Sequence, residues 1–210
     1  MGHKINPNGF RIGITKDWTS RWYLGKKAFG PALLEDQKIR KFLTKKFETA
    51  GVKSVEIERS LNEVSVVAKV SKPGVVIGRG GAGVDEVRDE LKKITQVKTS
   101  LTVEEVKNAE TDAQLVADFI SRQLKRRLPY RRVMTSAMNT AMERGVKGIK
   151  IRLAGLLGGS NTIARTETLS QGSVPSQTLR ADIDFAQVDC LMLFGKIGIK
   201  VWIFKGMKEI

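Results

Sequence analysis

The sequence predicts an α+β protein in two domains, and three observations carry that expectation. From residue 31 to residue 107 the hydrophobic pattern runs helix, strand, strand, glycine-rich loop, helix, strand. A polar break, Lys107-Asn108-Ala109-Glu110, follows. Beyond it two amphipathic helices precede a run of strands, which reads as two helices on an antiparallel sheet over 108–210. A chain of 210 residues suffices for two modest domains, each with its own core.

Residues 1–30 have little periodicity and mix glycine, aromatic and basic residues, as in Asn8-Gly9-Phe10-Arg11, Trp18, Arg21-Trp22-Tyr23 and Lys26-Lys27. They read as an N-terminal arm, lying either over its own domain or on RNA or a neighbouring protein. A helix is expected from Pro31, with Leu33, Leu34, Ile39, Phe42, Leu43 and Phe47 on its apolar face and Ala50-Gly51 as its stop. Val52 to Arg59 and Glu63 to Val70 read as a hairpin closed by Leu61-Asn62; the second strand sets Val64, Val66, Ala68 and Val70 against Ser65, Val67 and Lys69. Proline at a first helical position followed by Val75, Val76 and Ile77 predicts a short helix. Gly78, Gly80, Gly81 and Gly83 come next, then a helix carrying Val84, Val87, Leu91 and Ile94 inward, then a strand over 97–106.

The second domain opens with a helix from residue 112 to about 127 that faces Val116, Phe119, Ile120 and Leu124 inward. Leu128-Pro129-Tyr130 breaks it, and a second helix follows with Val133, Met134, Ala137, Met138, Ala141 and Met142 as its apolar stripe. Strands are expected over 149–153, about 162–169, 181–193 and 196–205, with Gly155-Leu156-Leu157-Gly158-Gly159-Ser160 joining the first two. In the last strand Ile197, Ile199, Val201 and Ile203 share one face, while Lys196, Lys200, Trp202 and Phe204 share the other. That second face is either a stacking surface for RNA or the partner of a neighbouring protein.

Charge and composition limit the functions. Lys and Arg total 37 against 22 for Asp and Glu, a formal net charge of +15, so the chain should attract a polyanion, nucleic acid before membrane. A single cysteine, Cys190, allows no internal disulfide, and with a single histidine, His3, it allows no Cys/His metal cluster. Histidine-dependent nucleophilic catalysis would have to use the chain terminus. No metal, cofactor or enzyme activity is expected. No apolar run approaches the roughly 20 residues of a membrane helix, and Met1-Gly2-His3-Lys4-Ile5-Asn6-Pro7 lacks the apolar stretch of a signal peptide, so a cytoplasmic protein is expected.

Two basic features remain. Gly78, Arg79, Gly80 and Gly81 form a positive cradle whose exposed N–H groups suit phosphate. Gly78, Gly80 and Gly83 also fit the dinucleotide fingerprint G-x-G-x-x-G, with Glu104 placed for a ribose, which keeps a nucleotide-dependent oxidoreductase as a competing reading. That fingerprint needs a buried strand running into Gly78, and Pro73-Gly74 leaves only three residues for it. The second feature is a corner of four arginines. Arg126 and Arg127 suit the C-terminus of the preceding helix, but Arg131 and Arg132 sit in the first turn of the next one, against its dipole. An outside anion such as a phosphate backbone would compensate them; otherwise they form a solvated basic corner.

Ile77-Gly78-Arg79-Gly80-Gly81 resembles the I-G-x-x-G loop of KH domains, which clamps about four single-stranded nucleotides, and two strands before the loop with one after resemble the type II arrangement. The loop alone leaves a free KH-type RNA-binding regulator open. The resemblance widens with Gly2-His3-Lys4-Ile5-Asn6-Pro7, Phe10-Arg11-Ile12-Gly13-Ile14, Ile163-Ala164-Arg165-Thr166-Glu167, Thr178-Leu179-Arg180-Ala181-Asp182-Ile183-Asp184 and Gly198-Ile199-Lys200-Val201-Trp202-Ile203-Phe204-Lys205-Gly206. From end to end the chain is similar to the bacterial small ribosomal subunit protein three family. That resemblance implies an N-terminal type II KH domain over 31–107 and a non-enzymatic structural protein of the small-subunit head. Its partners would be small-subunit ribosomal RNA, neighbouring head proteins, and messenger RNA where it enters, with no cofactor, membrane or small-molecule substrate. It implies RNA contacts for Gly78, Arg79, Gly80 and Gly81, messenger contacts for Arg131 and Arg132 with Arg126 and Arg127, and further RNA contacts for Arg11, Arg165 and Arg180. Thr135, Ser136 and Leu156 stand where family members often carry bases.

Overall fold

The computed structural model describes residues 4–60, 63–95, 97–158 and 163–208, and at Arg79 the backbone. Its elements are α1 (Pro7–Arg11), β1 (Ser20–Arg21), α2 (Lys26–Lys46), β2 (Val52–Arg59), β3 (Glu63–Val70), α3 (Pro73–Ile77), α4 (Ala82–Ile94), β4 (Lys98–Glu105), α5 (Ala113–Lys125), α6 (Tyr130–Glu143), β5 (Gly148–Gly155), β6 (Arg165–Gly172), β7 (Ala181–Met192) and β8 (Gly195–Met207). Over the described residues they form two compact units, Trp18–Lys107 and Met1–Asp17 joined with Asn108–Ile210.

In the first unit the sheet order is β1-β2-β3-β4, with β2 and β3 antiparallel and the two outer pairings parallel. Alternation in β3 sends Val64, Val66, Ala68 and Val70 into a core shared with Ile39 and Leu43 of α2 and Val87 and Leu91 of α4. Helix α2 begins at Lys26, five residues before the expected start, because Trp22 packs against Phe29 at 5.3 Å between ring centroids and Pro31 has a helical φ even without an N–H to donate. Its buried stripe is Ala32, Asp36, Ile39 and Leu43; Leu33 and Leu34, expected inside, lie exposed on the adjacent flank.

Asp36 explains why residues 18–25 fold onto this unit. Its buried carboxylate accepts from Trp22 Nε1 at 2.8 Å and from Arg59 Nε at 2.7 Å. Nearby, Arg40 donates to the carbonyls of Val55 and Thr19 and to Ser20 Oγ, tying β1 to the sheet. Burial pushes the Arg40 guanidinium below its ordinary pKa, while Asp36 and Glu56 pull the other way. Asp36→Asn keeps the shape but removes the charge opposite Arg59, and is expected to cost about 2 kcal/mol in urea unfolding, the scale of one charge-assisted bond.

In the second unit the sheet order is β6-β5-β8-β7, every pairing antiparallel, with α5 and α6 packed on one face. The start of α5 is satisfied by two carboxylates: Asp112 accepts from Gln114 N, and Asp184 of β7 accepts from Ala113 N, both at 3.1 Å. Phe119, expected inward, is 38% exposed, since it stands one step off the stripe of Ala113, Val116, Ala117, Ile120 and Leu124. Phe204 is buried rather than displayed, in a small cluster with Ala181 and Ile183. The expected turn at Leu61-Asn62 and the Gly159-Ser160 part of the later loop lie outside the described residues, as does Thr162.

The N-terminal arm expected over 1–30 is shared between the two units, and its described residues pack on them. Residues 18–25 belong to the first, as above, and residues 4–17 to the second. There Arg11 is fully buried and donates to four backbone carbonyls: Ala181 at 2.8 Å, Thr178 at 2.9 Å, Ser176 at 3.0 Å and Pro7 at 3.1 Å. Burial lowers its pKa, with Asp182 opposing; an arginine stays charged regardless. Lys16 adds ion pairs to Asp182 and Asp184 at 3.4 and 3.5 Å. The RNA contact expected of Arg11 is thereby corrected: its guanidinium is spent on this internal strap.

Candidate nucleic-acid interface

The glycine loop joins two helices. Pro73 opens α3, and Gly78 ends it with φ 67°, its N–H bonded to Gly74 O. The next turn, Arg79–Gly81, places Gly80 at φ 64° and Gly81 at φ 87°, which side-chain-bearing residues rarely adopt. A Cβ added to either Gly80 or Gly81 would meet nothing within 4 Å, so the loop's outer surface is bare backbone open to a bulky ligand. Gly83 serves the opposite end: a Cβ there would lie 2.4 Å from Val76 O, so α4 can approach α3 closely only with glycine at that position. The side chain of Arg79 lies outside the described parts. Because α3 stands where a dinucleotide site needs a strand, the oxidoreductase reading fails on geometry.

Two apolar side chains beside the loop escaped the sequence reading. Val75 is 59% and Ile77 40% exposed, while Val76 between them is buried. The run of three apolar residues hid this split; only the single inward position of a five-residue helix could have shown it. Together they put an apolar flank next to an open glycine backbone, a combination suited to bases and phosphates of one strand. On α4, Asp85 and Asp89 are engaged by Arg88 and Lys92, and Glu90 by Lys46, so these carboxylates are partly neutralised.

The second cluster is the α5–α6 corner, where Arg126, Arg127, Arg131 and Arg132 are all exposed. Arg127 holds φ 61°, the left-handed conformation that usually ends a helix on glycine; its N–H reaches Leu124 O at 2.8 Å. Helix α6 starts at Tyr130 after Pro129, with no side-chain cap and no acid in its first turn, leaving N–H groups without a side-chain partner beside Arg131 and Arg132. Arg131 lies over the Tyr130 ring at 5.8 Å and 3.5 Å from Glu167; Tyr130 first, then Glu167, hold its guanidinium above the ordinary value. Glu167 and Arg165 share one face of β6, so the exposed Arg165 is brought to the same side of the sheet as this corner. Arg180 is exposed in the turn before β7, next to the Arg11 strap. Leu156 lines an apolar groove of about 760 Å³ with Leu128, Tyr130, Leu193 and Phe194, bordered by Arg127. Among the described residues no group of acidic, histidine or cysteine side chains could hold a metal, and no described helix is long and apolar enough to cross a membrane.

The fold and its glycine loop define a KH-domain protein with a second α+β unit attached. A KH domain model matches residues 38–111, and a model described as "Ribosomal protein S3, C-terminal domain" matches residues 120–203. The chain is 51% identical over 207 residues to small ribosomal subunit protein uS3 of Alkaliphilus oremlandii, covering 98% of this chain and 87% of that one. It is 50% identical over 206 residues to small ribosomal subunit protein uS3 of Pelagibacter ubique, covering 98% and 91%. The chain belongs to the uS3 family of small ribosomal subunit proteins. This is a family of structural proteins and not of enzymes.

Proposed function

We propose that this chain is a structural constituent of the small ribosomal subunit in the cytoplasm, bound to ribosomal RNA and to neighbouring proteins of the subunit head, and that it touches messenger RNA where the message enters. The KH loop at Gly78, Arg79, Gly80 and Gly81 takes a single strand along its bare backbone. Arg126, Arg127, Arg131 and Arg132 take phosphates, with Arg165 and Arg180 as further RNA contacts. The observation that carries the messenger contact is the start of α6. Two exposed arginines and N–H groups without a side-chain cap occupy a helix end whose first turn holds no acid, so an outside anion is the natural partner. The glutamate opposite Arg131 leaves that side chain three-quarters exposed and able to exchange partners.

Replacing Arg131 and Arg132 by alanine is expected to weaken binding to unrelated RNA sequences about equally. The slope of log affinity on log salt should fall by roughly 0.7 for each single-strand phosphate no longer neutralised. Stability of the protein should hold or rise, because both charges oppose the helix dipole. Small subunits carrying the double variant should assemble yet slow on messages with structure just ahead of the point of entry. Failure to assemble would make the pair a clamp on ribosomal RNA, and normal speed on structured messages would remove the messenger contact. Sedimentation of the chain with the small subunit through high salt separates a ribosomal constituent from a free RNA-binding regulator, which would not remain bound.

A further inference from the structure

The second sheet carries two kinds of chemistry on the face away from α5 and α6. Ile149, Ile151, Leu153, Ile199, Val201 and Ile203 fill the core side, so the period of two sends Lys150, Arg152, Lys200 and Trp202 to the other. Strand register then sets their neighbours. Lys150 pairs with Trp202 and Trp202 with Phe185; one step along, Arg152 pairs with Lys200 and Lys200 with Gln187. An aromatic row therefore adjoins a cationic row, about 7 Å away at the rise of a strand. The Trp202 and Phe185 rings lie 5.2 Å apart at 40°, and Lys150 Nζ sits 5.8 Å from the Trp202 centroid. Residues 4–7 and Phe10 border this face and close it into a groove of about 830 Å³. Asp189, opposite Gly198, is one row further along, and Asp182 and Asp184 are engaged by Lys16.

We infer that this groove is a second single-strand RNA site, in which an unpaired base stacks on the Trp202–Phe185 pair while its phosphates lie on Lys150, Arg152 and Lys200. The inference rests on the proposed RNA-binding function but uses none of the residues assigned to it. Half-buried aromatics on a sheet, rimmed by cations and reached by amide side chains, bind unstacked bases without needing a duplex. A protein partner would have to be acidic and aromatic-binding at once; three cations on two adjacent rows favour the nucleic acid.

The test uses the full chain and a short oligouridylate carrying 4-thiouridine, with crosslinked residues mapped by mass spectrometry and affinity measured by anisotropy. Crosslinks are expected at Trp202 or Phe185. Trp202→Leu should weaken binding about tenfold, the effect of losing one stacked base. The surface pair Arg152→Gln with Lys200→Gln, which risks little folding, should lower the salt slope by roughly 0.7 for each phosphate released. A duplex of the same length should not compete for these crosslinks. Crosslinks confined to residues 78–81 and 126–132, with affinity unchanged in both variants, would overturn the inference and leave the proposed function standing. Equal competition by duplex, or protection of the groove by a neighbouring protein alone, would overturn it as well. Absence of any RNA binding by the unaltered chain would remove both.

Discussion

Aspartate at both Gly80 and Gly81 is expected to reduce affinity for single-stranded RNA on the order of a hundredfold while leaving the chain folded. The backbone at these residues, φ 64° and 87°, is open to solvent, and a Cβ at either would have nothing within 4 Å. The new Cβ atoms therefore strike no described protein atom. Their cost to the fold is that of left-handed backbone, about 1–2 kcal/mol per residue and least for Asp and Asn. Their cost to binding is larger, because they fill the space a strand must enter and set two negative charges against its phosphates; like charges brought together cost several kcal/mol. Asparagine at both positions imposes the same backbone strain without the charge, and should fall between. Anisotropy with a labelled single strand at fixed salt measures all three proteins, and equal affinity in the aspartate variant would take the loop out of the interface.

Arg11→Met should be a severely damaging change to the second unit, at about 3–5 kcal/mol, because a buried charge-assisted network loses its guanidinium donors. Methionine preserves much of the volume but removes the side-chain donors to the carbonyls of Pro7, Ser176, Thr178 and Ala181. Lysine keeps the charge with fewer donors in a different geometry and should recover only part of the loss. Urea unfolding followed through Trp202 reports this unit, whereas Trp18 and Trp22 belong to the other and should change little. A shift in the Trp18 and Trp22 signal with Trp202 untouched would contradict the strap.

These two sites mark how far the sequence could be read. The bounds of the strands Val52–Arg59 and Glu63–Val70 were legible to the residue, because alternation in the second buries Val64, Val66 and Ala68; the irregularity between Val52 and Ser54 in the first was not. The short helix before the loop was legible from Pro73, and with it the failure of the dinucleotide reading. Arg11 was not. Its acceptors lie 165 to 170 residues away except for Pro7, and a basic residue in a glycine-rich segment carries no local mark of burial. Asp36 was hidden likewise, as a carboxylate in an apolar stripe whose partners Trp22 and Arg59 come from two other segments. Within the candidate interface, glycine spacing exposed the loop, and charge at a helix start exposed Arg131 and Arg132. The left-handed Arg127 and the outward Val75 and Ile77 depend on backbone angles and packing that residue types alone do not encode.

The strap has a consequence for the order in which the chain is made. All the internal packing of Trp18–Lys107 is available once that stretch has left the ribosome that synthesises it, but Arg11 must wait for Ser176, Thr178 and Ala181. At about 5–20 residues per second that delay is roughly ten to thirty seconds. Through that interval Arg11 has only its local acceptor, Pro7 O, although all the residues of the Trp18–Lys107 unit have been made. Residues 4–17 should therefore become ordered only after Ala181, the first residue of β7, has been made.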